Sequence, residues 1–308
     1  MAEQFEINAG FRRHSKKEGE NISVEGRDMC HKEADKIFKE LVAAPINTIY
    51  YITPSSIGRA QQTADYIGER LARNIEQNPQ ANIVMFLFGT PWRHIDKARK
   101  EGKKVIISAV PEEQDLAFSE SEGWMKALRA GLKFEGKNKE KLTEADIMCI
   151  WVARKSEIPA LKALLRKRYP GMTDEEFDQN FKPSRFKDTP EEIALRQIKV
   201  VLSTAASMQR RYPDAHLMGS YVGHSDMTDM ATMAILYQEI NLVSMQAYGQ
   251  VRAELETDEF QIKDGQIVKA SFRVGNGGRS LAAPLSVDAL LKRLQVASET
   301  RKAEWATM

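Results

Sequence analysis

The chain has 308 residues, 42% of them hydrophobic, and its 45 basic side chains nearly balance 43 acidic ones, leaving a formal net charge of +2. That balance argues against a dedicated nucleic-acid binder, which carries a strongly basic face, and no apolar run is long enough to cross a bilayer. The opening "MAEQFEINAG" lacks the basic-then-apolar pattern of a secretory leader, and two distant cysteines, Cys30 and Cys149, make neither a disulfide framework nor a zinc site, so a cytoplasmic protein is expected.

Phe5, Ile7, Ala9 and Phe11 alternate, which predicts a strand over residues 4–11. Glu6 and Asn8 sit between them and are unexpected on a strand inside a sheet. A helix follows, with Ser23 as its cap and Cys30, Ala34, Ile37, Phe38 and Leu41 on one face. "INTIYYITP" reads as a strand stopped by Pro54, and residues 57–73 as a helix buried through Ala60, Ala64, Ile67 and Leu71. "NIVMFLFG" and "KKVIISAV" are continuous apolar runs of the kind expected in strands buried on both faces, with a short crossover helix in "PWRHIDKARKEGK".

From residue 111 to 188 the pattern turns charged and mostly helical, which predicts a cap inserted into a single 1–308 domain. Within it "ADIMCIWVA" fits a strand or a buried helix equally well. The next helix carries Thr189 as cap, Pro190 at its first position and Glu192 completing a capping box. "HLMGSYVGH" is then a strand and "SDMTDMATMAILYQ" a helix that Asp226 would cap. "EFQIKDGQIVKASFRV" is a hairpin turning at Asp264-Gly265, and "SVDALLKRLQVASETRK" is a closing helix. Alternating strands and helices predict an α/β three-layer sandwich: a mostly parallel central sheet, helices on both faces, and the helical cap insertion.

In such sheets ligands bind beyond the carboxyl ends of the strands. Three of those ends are rich in chemistry. The first carries Arg12, Arg13 and His14; the second leads through "TPSSIGRAQQTA" to Arg59 in the first turn of a helix; the third ends in "GHSD", with His224 before a helix. Two helix N-termini add free N–H groups and partial positive charge. Such a rim suits a dianion, most simply a phosphoryl group. Arginine pairs bidentately with its oxygens. A histidine in that field is discouraged from protonating and keeps the lone pair a nucleophile needs. The leaving oxygen needs a proton, which a carboxylic acid over the site would supply.

In their order and wide spacing, "RRHS", "SSIGRAQQTA" and "GHSD" resemble the motifs of the histidine phosphatase superfamily, which includes the cofactor-dependent phosphoglycerate mutases. The resemblance covers residues 5–75 and 190–260, and "RAQQTA" is its most specific piece. It implies His14 as the phosphorylated nucleophile, Arg13 and Arg59 as phosphate clamps and His224 as the second histidine. The acid would be Glu113, just past the "VIISAV" strand, or Glu120 in "FSESEGW". Ser15 stands where the family has glycine and could add a hydroxyl or displace the loop. Asn21 lies one residue out of register with a mutase asparagine, and Ser225 follows the second histidine directly, so the branch with an acidic residue there does not fit.

The implied activity is metal-independent hydrolysis of a small-molecule phosphate monoester, with no cofactor, nucleic acid or membrane involved and homo-oligomerisation left open. A mutase-like phosphotransferase and a non-catalytic phospholigand binder are the alternatives. Other features read more plainly: His31 as solvated, His216 as structural, His94 as a loop residue that could reach substrate, and "VGNGGRS" as a turn lacking the Lys-Ser/Thr of a P-loop. Lys182, Arg185 and Lys187 could meet an anion from the cap, or be part of a solvated loop.

Overall fold

The structure, a computed structural model, describes residues 6–13, 15, 17–18, 21–55, 58–108, 143–180, 186, 188–223, 225–248, 257–274 and 277–308. The first strand, β1 (Glu6–Arg13), leads into a small ribbon of β2 (Lys17–Glu18) and β3 (Asn21–Ile22). Helix α1 (Val24–Ala43) starts where predicted, because the Ser23 side chain accepts the Gly26 N–H at 3.1 Å. After it come β4 (Thr48–Pro54), α2 (Gly58–Gln77), β5 (Ile83–Leu87), α3 (Trp92–Lys100) and β6 (Lys104–Ser108).

Beyond residue 142 lie α4 (Glu144–Val152), α5 (Ile158–Arg168) and α6 (Asp174–Asn180), then the long α7 (Pro190–Arg211). The chain continues through β7 (His216–Gly223), α8 (Ser225–Tyr237), α9 (Leu242–Tyr248), β8 (Thr257–Lys263), β9 (Gln266–Val274), β10 (Gly277–Ser280), β11 (Leu285–Ser286) and α10 (Val287–Trp305). The Thr189–Glu192 capping box is present on α7 as predicted. The β8–β9 turn carries Asp264 at φ 48° and Gly265 at φ 72°, the left-handed pair that a two-residue hairpin turn demands.

The fold is α/β with a mostly parallel central sheet, in the order β10-β9-β8-β1-β7-β4-β6-β5 with β11 beside β9. The five strands from β1 to β5 in that order are parallel; β8, β9 and β10 are antiparallel. Alternate side chains of β4, β5, β6 and β7 enter two separate apolar cores. Ile49 and Tyr51 of β4 pack with α3, α4, α7, α8 and α10, while Tyr50 and Ile52 pack with α1 and α2.

Two expectations change. "NIVMFLFG" is not buried on both faces: β5 is the last strand in the described sheet, Val84, Met85 and Phe86 are only half buried, and Leu87 is 66% exposed. "ADIMCIWVA" resolves as the buried helix α4, started by a Thr143–Asp146 capping box and apolar all round. The described part of the predicted insertion is built into the larger core, where Ile147, Trp151, Leu161 and Phe177 join Ile193 and Leu294. Residues 111–142 of the insertion lie outside the described residues.

The polar residues of β1 also find their reason. Glu6 accepts from Gln261 and pairs with Lys263, and Asn8 lies 3.3 Å from His216 Nε2, so His216 is structural in its contacts. On that side α1 and α2 lie over β7, β4 and β6, and Asn8, Gly10 and Arg12 line a groove of about 220 Å³ with Glu40 and Tyr50.

Candidate functional site

The sheet register brings the three strand ends together. Arg13 of β1 is level with Gly223 of β7, and Val222 of β7 is level with Pro54 of β4. The pairing runs one residue further, where the Ser55 N–H donates to the Val222 carbonyl at 2.8 Å. Positions 14 and 224 therefore follow directly on paired residues of adjacent strands, and the segment leading to Arg59 leaves from the third.

The helices that follow these strands diverge. Both neighbours of β7 send their helices, α1 and α2, to the smaller core, whereas β7 sends α8 to the larger one through Met230, Ala231 and Ala234. In open α/β sheets the carboxyl end of a strand where connections part in this way is the usual place for a ligand crevice, and here that strand is β7. Helix α2, 20 residues long, and α8, 13 residues long, both begin at this rim. Arg59 is the second residue of α2 and is half buried. Asp226 is the second residue of α8, inside the helix rather than its cap as expected.

The described side chains show how the rim is held. Ser15 is fully buried, its hydroxyl donates to the Gly26 carbonyl at 2.6 Å, and its N–H donates to Thr63 Oγ1 at 3.1 Å. The one proton of that hydroxyl is thus committed to α1. The Thr63 hydroxyl in turn donates to the Arg59 carbonyl at 2.8 Å. One residue earlier, Gln62 Oε1 accepts the Ile22 N–H and Gln62 Nε2 donates to Asn21 Oδ1, both at 3.0 Å. Asn21 is exposed and is engaged with α2 through that bond. Beneath the loop, burial pushes the Cys30 thiol up to about 11, with the Ser15 hydroxyl opposing, so the sulfur stays a neutral thiol.

At the end of β4, Thr53 Oγ1 and Ser55 Oγ are buried with no hydrogen-bond partner among the described residues. Orphaned hydroxyls are uncommon in protein interiors, and these two sit at the strand-end rim. The sequence reading missed them, and it missed the holding roles of Gln62 and Thr63. A signal was available for Thr63: it lies four residues after Arg59 on one helix, where a threonine hydroxyl reaches back to the carbonyl.

Arg12 does not join the rim. It is 3% exposed and bonds Glu33 of α1 at 2.9 Å, on the grooved side of β1. His14, His224, Glu113, Glu120, Lys182, Arg185 and Lys187 lie outside the described residues, as do the side chains of Arg13 and Ser225. Among the described residues no group of three His, Cys, Asp or Glu side chains gathers as a metal site would require, and no helix is long and apolar enough to cross a membrane. No protein-family model matches the chain, and no curated protein matches it significantly.

Proposed function

We propose that the chain is a histidine phosphatase-like enzyme that hydrolyses a small-molecule phosphate monoester through a phosphohistidine on His14. The observation that carries this reading is the register of three strand ends: Arg13 beside Gly223, Val222 beside Pro54, and Arg59 in the first turn of α2. In this reading the fold is a three-layer sandwich with a helical cap over residues 111–188, and the protein works in the cytoplasm without a metal or cofactor.

The chemistry follows from the residue types. Arg13, Arg59 and His224 hold the three peripheral oxygens, assisted by the N-termini of α2 and α8. The neutral His14 imidazole attacks phosphorus, an N–P bond forms and the P–O ester bond breaks. The departing oxygen takes a proton from Glu113 or Glu120. The resulting carboxylate then accepts a proton from water, whose oxygen attacks phosphorus, and the N–P bond breaks to release inorganic phosphate and free His14.

The test is hydrolysis of an aryl phosphate from about pH 5 to about pH 8, with chelator present. Wild type should turn over and His14→Ala should not, while Arg59→Ala should lower kcat by about 10²-fold, the cost of losing one preorganised donor. Wild-type activity in His14→Ala would remove the nucleophile assignment. Transfer to a second hydroxyl with little hydrolysis would mark a phosphoglycerate mutase-like phosphotransferase, and phosphate affinity without any phosphoenzyme would mark a binding protein.

A further inference from the structure

Thr63 stands between the two halves of the rim. It is fully buried on α2, one helical turn after Arg59. Its oxygen accepts the N–H of Ser15, the residue directly after His14, and its proton goes to the carbonyl of Arg59. A single hydroxyl therefore joins the backbone beside the nucleophile to the backbone of the phosphate clamp. The two distances, 3.1 and 2.8 Å, are those of ordinary hydrogen bonds, and the bond between Ser15 and Thr63 is closed to water because both residues are at 0% exposure.

Other described bonds hold this stretch at its two ends. The Ser15 hydroxyl fixes it to α1 through Gly26, and Gln62 holds its far end through Ile22 and Asn21. The Thr63 bond ties residue 15 to the helix that carries Arg59. We propose that Thr63 is a positioning residue: its hydroxyl relay, Ser15 N–H to Thr63 to the Arg59 carbonyl, sets the distance between the His14 nucleophile and the phosphate held by Arg59. The proposal rests on the phospho-His14 reading given above.

The physical reason is that in-line attack needs the nucleophile within contact of phosphorus before reaction, and a displacement of about 1 Å costs about 10²-fold in rate. Removing the hydroxyl takes from the Ser15 N–H its acceptor on α2, so this tie between residue 15 and the helix of Arg59 is lost. Arg59 keeps its place in the helix ladder, because the lost bond is an extra one to its carbonyl. The defect therefore falls on the chemical step and not on phosphate binding.

The test compares wild type, Thr63→Val, which keeps the shape and removes the hydroxyl, and Thr63→Ser, which keeps the hydroxyl. The measurements are phosphohistidine formation from a radiolabelled aryl phosphate, kcat and KM per folded molecule, inhibition by inorganic phosphate, and thermal unfolding of each variant. Thr63→Val should lose about 10²-fold in kcat and in labelling rate, with KM and phosphate inhibition near wild type, and Thr63→Ser should restore the rate. If Thr63→Val is folded and labels as fast as wild type, the relay does not position His14. If KM and phosphate inhibition collapse while kcat holds, Thr63 serves the clamp alone and the inference is equally wrong. Should Thr63→Val fail to fold, Thr63→Ser and Thr63→Cys decide: the first must keep the wild-type rate, and the second, which keeps the size but offers only a weak acceptor, must lose much of it, whereas a Thr63→Cys protein at the wild-type rate removes the relay. A wild type that never forms phosphohistidine removes the His14 reading, and this role with it.

Discussion

Arg12 and Glu33 form an ion pair drawn almost wholly out of water, 3% and 11% exposed, beneath the middle of α1. Neither charge is stable there alone. Glu33→Ala should cost roughly 3–5 kcal/mol, because it strands a buried guanidinium, whereas Arg12→Met with Glu33→Leu should recover most of that loss. Urea unfolding of the three proteins decides it; a Glu33→Ala protein as stable as wild type would mean that Arg12 finds other solvation. A second buried charge gives a pH signature. Burial alone would raise the Asp146 carboxyl, but hydrogen bonds from Thr143 and Tyr169 and the Arg168 guanidinium overcome it and hold the group below the usual carboxylate range. Its folded pKa is depressed, so its contribution is whole above the unfolded value of about 3.9 and is lost as pH falls through the folded one. Wild type should lose stability on acidification below about pH 4, and Asp146→Asn should flatten that limb. Equal slopes in both proteins would exclude Asp146 as a source of acid sensitivity.

Between elements, packing leaves little slack at the centre of the sheet. A Cβ on Gly219 of β7 would lie 2.5 Å from the Tyr51 ring of neighbouring β4. Tyr51 is fully buried, meets Tyr221 edge-on and bonds its hydroxyl at 2.8 Å, so it has nowhere to go. Gly219→Ala should therefore cost about 1–3 kcal/mol by overpacking, and Tyr51→Val should give part of it back in the double mutant. Denaturation midpoints will show this coupling or, if the two losses simply add, rule it out. The same scale shows which elements were legible in the sequence. Helices α1 and α7 carried their start signals locally, in Ser23 and in Thr189 with Glu192, and both caps formed. The "ADIMCIWVA" run carried no period, because α4 is apolar on every side, and length and flanks could not decide it. Strand β5 read as buried because a sequence shows what a strand is made of but not whether a neighbour lies on its outer side.

Across the whole molecule, Arg301 of the last helix ties together elements far apart in sequence. It is fully buried, pairs with Glu191 at 2.8 Å, and donates to the carbonyls of Val152, Ala153 and Ile240. Glu191 also takes Arg154 at 3.0 Å. One guanidinium thus satisfies carbonyls at the end of α4 and before α9 while joining α10 to α7. Arg301→Met should destabilise by roughly 3–5 kcal/mol, since Glu191 and three carbonyls lose their buried partner. A C-terminal helix that detaches without disturbing the rest, seen as selective loss of hydrogen-exchange protection in α10 alone, would contradict this role.

The sequence by itself determined the alternation of strands and helices, the caps of α1 and α7 and the hairpin turn, because those depend on side chains within a few residues of one another. It also marked "RRHS", "SSIGRAQQTA" and "GHSD" as strand ends, since each follows an apolar run that stops abruptly. Only the tertiary structure decided that β7 lies between β1 and β4, which sets these ends side by side, because strand order is a matter of pairing between residues some two hundred positions apart. It likewise decided that Arg12 belongs to Glu33 and not to the rim, that Ser15 gives its proton to Gly26, and that Thr63 bonds both Ser15 and the Arg59 carbonyl. Those outcomes turn on which face a side chain leaves by and what acceptor it meets there, and in a folded chain that acceptor belongs to another element.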